Sequence, residues 1–168
     1  QPVTVTGAAL SALPDDASAT DPAIGQTAPT LAGLSFDGSP VDVHPDGAAA
    51  TLVVFLAHWC PHCRREMPKL VQWDQDRKVP AGVDVVGIVT ATSADQPNYP
   101  PSTWLATAGF PWPIMADSPT GDAATALGIN SWPGFVLLGK DGRVLWRSSG
   151  EIEMTDLAAK ITAALPKA

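Results

Sequence analysis

The chain has 168 residues, 45% hydrophobic and 16% charged, a makeup that suits one globular domain with a full core and excludes a fibrous or disordered chain. Its net charge of −7 offers phosphate no basic footprint, which excludes nucleic acid as a partner class. No apolar run approaches the roughly 18 residues of a membrane-spanning helix, and the two cysteines, Cys60 and Cys63, are too close together to staple a fold.

The charge is uneven along the chain. Residues 1–63 carry Asp15, Asp16, Asp21, Asp37, Asp42 and Asp46 but no Lys or Arg, the pattern of a solvated acidic arm. Residues 1–22 mix Pro, Ala, Ser, Thr and Asp without a sustained period. They read as a flexible leader before a single domain over 23–168.

Beyond Ile24 the periodicity sharpens. Leu31, Leu34 and Phe36, the turn signal Asp37-Gly38, then Val41 and Val43 predict an N-terminal β-hairpin. His44-Pro45-Asp46-Gly47 predicts another turn. Residues 51–57 are rich in β-branched side chains and apolar on both alternations, as in a central strand buried on both faces. A helix follows over about 61–78, with Cys63, Met67, Leu70, Val71 and Asp74 at three- and four-residue spacing, and Pro68 should kink it.

Residues 83–89 predict a second buried strand, 90–101 a loop, 102–108 a short helix and 112–115 a short strand. A helix over 120–127 should end at Gly128. Strands at 135–138 and 144–146 are joined at Lys140-Asp141-Gly142-Arg143, a strong hairpin turn. Met154, Leu157, Ala158, Ile161 and Leu165 give an amphipathic closing helix. The order predicts an α/β sandwich with a mixed sheet, helices on both faces and a terminal antiparallel hairpin.

The chemistry sits where the buried strand meets the helix, at His58-Trp59-Cys60-Pro61-His62-Cys63. Cys60 falls near the helix N-cap, where free backbone N–H groups and the positive end of the macrodipole favour a thiolate. Pro61 suits the first helical position. His62 brings a donor or a positive charge beside the sulfur, and Arg64 and Arg65 follow at once. Cys63 lies one turn further in, on the core-facing stripe. These positions assign exchange with a substrate sulfur to Cys60 and resolution of the mixed disulfide to Cys63. Stabilising the thiolate stabilises the reduced form, so Pro61-His62 tips the dithiol slightly toward oxidase over reductase.

Glu66 has two readings. It is a partly buried carboxylate that takes the proton of Cys63, or a solvated acid beside the helix dipole. A second element is Ser131-Trp132-Pro133-Gly134. A cis Trp132–Pro133 bond would set the backbone of residue 132 beside the dithiol, ready to pair with a substrate backbone.

With these residues in hand, the chain resembles the TlpA-like branch of the thioredoxin superfamily, close to the redoxin group, over about residues 24–165. The resemblance rests on Gly25-Gln26-Thr27-Ala28-Pro29, on the run from Val53 through Cys60-Pro61-His62-Cys63 to Pro68, on Phe110-Pro111-Trp112-Pro113 with Asp117, and on Gly128-Ile129 ahead of Pro133, followed by Asp141-Gly142 and Gly150. It implies a thioredoxin fold with a βα insertion. It also implies an exported or membrane-tethered place outside the cytoplasm, and exchange with cysteine-bearing protein substrates and a redox partner protein. The matching residues are Cys60 as nucleophile, Cys63 as resolving thiol, Glu66 as supporting acid and Pro133 as the cis proline, with Trp59, Pro61, His62 and Trp132 around them. No cofactor or metal is implied, and a monomer is expected. Trp132 departs from the pattern, standing where Thr or Val commonly precedes the proline, and its indole would narrow the groove or alter substrate choice.

Three rivals compete with this reading. A metal site could draw on His58, Cys60, His62 and Cys63, ligand types that suit zinc or copper(I). A strand–helix junction cannot converge all four on one ion, because His58 should point away, and His44 sits alone in a turn. A redoxin-type peroxidase usually has a hydroxyl three positions before its cysteine and a proline seven before. Ala57 and Val53 stand there instead. A binding module with an idle dithiol is the third.

Overall fold

The apolar run before the cysteines becomes the centre of the sheet in the computed structural model, which describes residues 1–45 and 47–167. The strands are β1 (Thr4–Thr6), β2 (Thr30–Leu34), β3 (Pro40–Val43), β4 (Ala50–Leu56), β5 (Val83–Val89), β6 (Ile114–Ala116), β7 (Gly134–Gly139) and β8 (Val144–Ser149). The helices are α1 (Pro61–Gln75), α2 (Pro101–Ala108), α3 (Asp122–Ala126) and α4 (Met154–Ala164). The sheet runs β1-β2-β6-β5-β4-β7-β8, with β3 paired to β2. β5 is parallel to both β4 and β6, whereas β4–β7 and β7–β8 are antiparallel.

β4 is buried on both faces, and its alternation feeds two cores. Leu52, Val54 and Leu56 point to the side covered by α1 and α4, where they meet Met67, Leu70, Leu157 and Ile161. Val53 and Phe55 point to the other side, against Ala123, Ala126 and Leu127 around α3. The mixed sheet with helices on both faces is the one the element order predicts, and the thioredoxin fold with additional β and α elements is the one the resemblance implies. Phe55 has no exposed surface. Its truncation to Ala costs about 3–5 kcal/mol by the usual cavity penalty.

The predicted hairpin, central strand, second strand and closing helix are all present. α1 stops at Gln75 rather than near 78, because Arg77 turns into the left-handed region at φ 55°, and it runs through Pro68 as one element. The strand expected over 112–115 begins at Ile114, and α3 is shorter than its predicted span. The start of α3 is capped from outside: Asp117 Oδ1 accepts from the Ala123 N–H at 2.8 Å and Oδ2 from that of Ala124 at 3.2 Å. The turn expected at 44–47 includes Asp46, which lies outside the described residues.

Residues 1–22, expected from composition as a flexible leader without regular structure, instead make specific contacts with the domain. Thr4, Val5 and Thr6 pair antiparallel with Ala32, Leu31 and Thr30. The Leu10 and Leu13 N–H groups donate to Ala126 and Gly128 carbonyls at 2.9 and 2.8 Å. Asp21, expected among solvated acids, instead pairs with the buried Arg147 guanidinium at 2.6 Å. Burial alone would raise the Asp21 carboxyl, but the Arg147 hydrogen bonds and charge and the Ala23 N–H hold it below the ordinary range. Arg147 also donates to the Ser11 and Leu127 carbonyls at 2.8 and 3.0 Å, so every arm of its fork is used. A three-residue strand carries too few positions to show a period, which is why composition concealed it.

Candidate active site

β4 ends at Leu56, and four residues later Cys60 is the N-cap of α1, with extended backbone (φ −73°, ψ 122°) and no side-chain cap hydrogen bond. Pro61 occupies the first turn, where its missing N–H costs nothing. The Cys60 sulfur therefore lies at the positive end of a 15-residue helix. Cys60 retains 6% of its surface and Cys63 none. Cys60 Sγ is 3.7 Å from the Trp132 carbonyl oxygen, which it meets as a donor, and the Trp132–Pro133 bond is cis. The Tyr99–Pro100 bond is also cis, which sequence reasoning did not anticipate.

Cys63 is the inner member. Its sulfur accepts from the Ala57 N–H at 3.5 Å. Burial pushes its thiol far above the ordinary range, and Cys60 and Glu66 add to the rise while the Ala57 N–H opposes it. A proton on Cys63 is thus hard to remove unless a neighbouring group receives it.

Glu66 is fully buried on the same stripe as Cys63 and Met67, so its solvated reading does not describe its place. Oε2 accepts from the Ile152 N–H at 2.8 Å, and Oε1 has no hydrogen-bond partner among the described residues. The nearest cation is Lys69, whose Nζ is 3.9 Å from Oε1. Burial raises the Glu66 carboxyl to about 7, with the Ile152 N–H and Lys69 pulling down and Glu151 and Glu153 pushing up. A carboxyl poised near neutrality is suited to giving and taking a proton.

His62 is expected beside the sulfur, but its Nδ1 lies 2.8 Å from Glu151 Oε2 and 2.9 Å from Arg65 Nη2. Arg65 also grips Glu151 through Nε at 3.1 Å and Nη2 at 2.9 Å. These bonds, Arg65 first and His62 second, hold the Glu151 carboxyl down at about 2.

The two residues before Cys60 anchor the loop that follows β5. His58 is fully buried. Its Nε2 accepts from the Ser93 N–H at 3.1 Å, so Nδ1 carries the hydrogen and donates to the Pro97 carbonyl at 2.7 Å. Asn98 Nδ2 donates to the His58 carbonyl at 3.0 Å, and Trp59 Nε1 to the Ala91 carbonyl at 2.8 Å. Tyr99 stands exposed at this loop's end, its ring 5.9 Å from that of His58. No group of three or more His, Cys, Asp or Glu side chains among the described residues is placed to hold a metal ion, which weighs against the metal-binding alternative.

Sequence reasoning missed Glu151 and Ile152, which sit just after β8, and the clasp made by His58. Their partners lie 86–89, 86 and 35–40 residues away, beyond any local pattern. One signal was available: a histidine between a buried strand and a reactive cysteine needs two hydrogen-bond partners if buried.

The Redoxin family model matches residues 23–164. The chain is 28% identical over 147 residues to a thiol:disulfide interchange protein DsbE homolog of Paracoccus denitrificans, covering 86% of this chain and 76% of that one. It is 30% identical over 118 residues to the thiol:disulfide interchange protein CycY of Rhizobium leguminosarum, covering 70% of this chain and 59% of the relative. Among solved structures, a putative thiol:disulfide interchange protein DsbE from Chlorobium tepidum superposes with a TM-score of 0.68 at 25% identity, covering 85% of this chain and 98% of that one. With the dithiol at the head of α1, these likenesses mean that the chain belongs to the Redoxin family, in its TlpA/DsbE-like branch of thioredoxin-fold thiol–disulfide oxidoreductases.

Proposed function

We propose that this oxidoreductase exchanges disulfides with cysteine-bearing protein substrates outside the reducing cytoplasm, as a monomer, and works in the oxidising direction. A substrate thiolate attacks Cys60 of the Cys60–Cys63 disulfide. The S–S bond breaks, its electron pair goes to the Cys63 sulfur, and the Glu66 carboxyl supplies the proton that Cys63 holds so tightly. A second substrate thiolate then attacks the substrate sulfur bonded to Cys60. The substrate disulfide forms, and Cys60 leaves as a thiolate at the positive end of α1. Two electrons have moved to the dithiol, and a redox partner protein removes them.

The observation that carries this reading is the division of the pair. One sulfur sits at the N-cap position of α1 beside the Trp132 carbonyl, and the other is buried with a carboxyl poised near neutrality. Trp132 also borders a groove of about 300 Å³ with Thr90, Ala91, Thr120 and Asn130, where an extended substrate segment would lie. The place of Cys60 at the positive end of α1, which favours its thiolate and so the reduced form, supports the oxidising direction, and a stable catalytic disulfide supports a place outside the cytoplasm. No helix among the described residues is long and apolar enough to cross a membrane.

The test mixes the oxidised protein with a reduced, unfolded protein that forms disulfides. One equivalent of substrate disulfide per Cys60–Cys63 disulfide is expected, with none for Cys60→Ser and background peroxide consumption in parallel. Peroxide turnover without disulfide transfer would overturn the reading.

A further inference from the structure

Four consecutive residues between β8 and α4 bind the cis-proline turn and four side chains of α1. The Gly150 N–H donates to the Pro133 carbonyl at 2.8 Å. Glu151 binds His62 and Arg65. The Ile152 N–H binds Glu66, and Glu153 takes Lys69 Nζ at 2.8 Å. Within this strap Glu151 has a distinct position, because its one carboxylate holds both the imidazole between the two cysteines and the guanidinium two residues beyond them. We propose that Glu151 is a positioning residue that restrains the oxidising power of the dithiol by drawing His62 and Arg65 onto itself and away from the Cys60 sulfur.

The physical argument is one of charge competition. A cation beside a cysteine at a helix N-terminus stabilises the thiolate and therefore the reduced form, which makes the disulfide a stronger oxidant. The His62 imidazole and the Arg65 guanidinium flank the dithiol in sequence, and both are committed to Glu151 at 2.8 and 2.9 Å. The pairing is electrostatically live at the sulfur. Glu151 first, and the Cys60 charge last among the contributing groups, hold the Arg65 proton more tightly than usual, against the opposing effect of burial. Neutralising Glu151 leaves that attraction for Cys60 alone. His62 and Arg65 are also more than half exposed, so they can reorient once released.

The inference rests on the dithiol being the working centre, and the experiment separates the two claims. The protein is equilibrated with reduced and oxidised glutathione, so that two electrons and two protons pass from the Cys60–Cys63 dithiol to glutathione disulfide, giving the protein disulfide and two glutathione thiols. Glu151→Gln, which keeps the shape and removes the charge, is expected to shift this equilibrium threefold to tenfold toward the reduced protein, about 15 to 30 mV more oxidising. In a His62→Gln/Arg65→Gln background the same substitution should leave the equilibrium unmoved, and Glu151→Asp should keep the wild-type value. A shift of equal size in both backgrounds would mean a merely structural role. An unshifted Glu151→Gln would overturn the inference while leaving the function intact. A wild-type pair that never forms its disulfide would overturn the function itself.

Discussion

The Ile152 N–H donates to Glu66 Oε2 at 2.8 Å across 86 residues of sequence, leaving Oε1 as a buried oxygen without a hydrogen bond among the described residues. A carboxyl held this way keeps one face for the backbone and one for a proton. Glu66→Gln preserves the acceptor but cannot titrate. Exchange steps in which Cys63 gains or loses a proton should slow by about 100-fold at neutral pH, the usual scale of general acid–base catalysis. In the oxidising direction the protonated carboxyl is the active form. The wild-type advantage over Glu66→Gln should therefore shrink as pH rises through about 7, measured by stopped-flow oxidation of a dithiol peptide.

The same carboxyl makes stability depend on pH. Its value is raised in the fold from 4.5 to about 7, so the folded state binds more protons than the unfolded chain across that window. Stability from this group is fully present below about 4.5 and is lost as pH rises through about 7. Glu66→Gln removes the loss. Denaturant unfolding should find the variant gaining on wild type from pH 4.5 to 7.5, by on the order of 2–3 kcal/mol at the upper end.

Asp21 and Arg147 tie the first residues of the chain to the sheet. Asp21→Ala strands a buried guanidinium, which costs about 3–5 kcal/mol, and protease should then reach residues 1–22. The Asp21 carboxyl is lowered in the fold, so its contribution is present above the ordinary carboxylate range and is lost as pH falls through the folded value. Gly128→Ala should disturb the same junction, because an added Cβ at φ 70° would collide with the Ser11 carbonyl and the Arg147 guanidinium. Urea unfolding with limited proteolysis checks both variants.

His58→Ala leaves the Ser93 N–H and the Pro97 carbonyl without their ring partners. The expected loss is about 1–3 kcal/mol. Hydrogen exchange should accelerate between 91 and 98, while the glutathione equilibrium of the dithiol stays within twofold of wild type. A large change in that equilibrium would mean that the loop controls the cysteines directly.

The parts of this molecule that were legible in its sequence are those written in neighbouring residues. β4 declares itself by apolar side chains on both alternations, α1 by Cys63, Met67 and Leu70 at helical spacing, and the β7–β8 turn by Asp141-Gly142. The dithiol is legible because Cys60 and Pro61 sit where a strand must turn into a helix. What the sequence concealed depends on distant partners. Arg147 finds Asp21 across 126 residues, and His62 turns from the sulfur to a glutamate 89 residues on. A basic side chain chooses among all the carboxylates that the fold brings near, and that choice exists only after the chain has closed.

Trapping the mixed disulfide tests the account most directly. Cys63→Ser should accumulate a covalent adduct between Cys60 and a cysteine peptide supplied as its disulfide, because the attacking sulfur survives and the resolving one is gone. Mass spectrometry should place the bond on Cys60, and Cys60→Ser should give no native-state adduct, since its remaining thiol is buried and holds its proton. An equal yield of adduct on Cys63 in folded Cys60→Ser would contradict the division of labour between the two sulfurs.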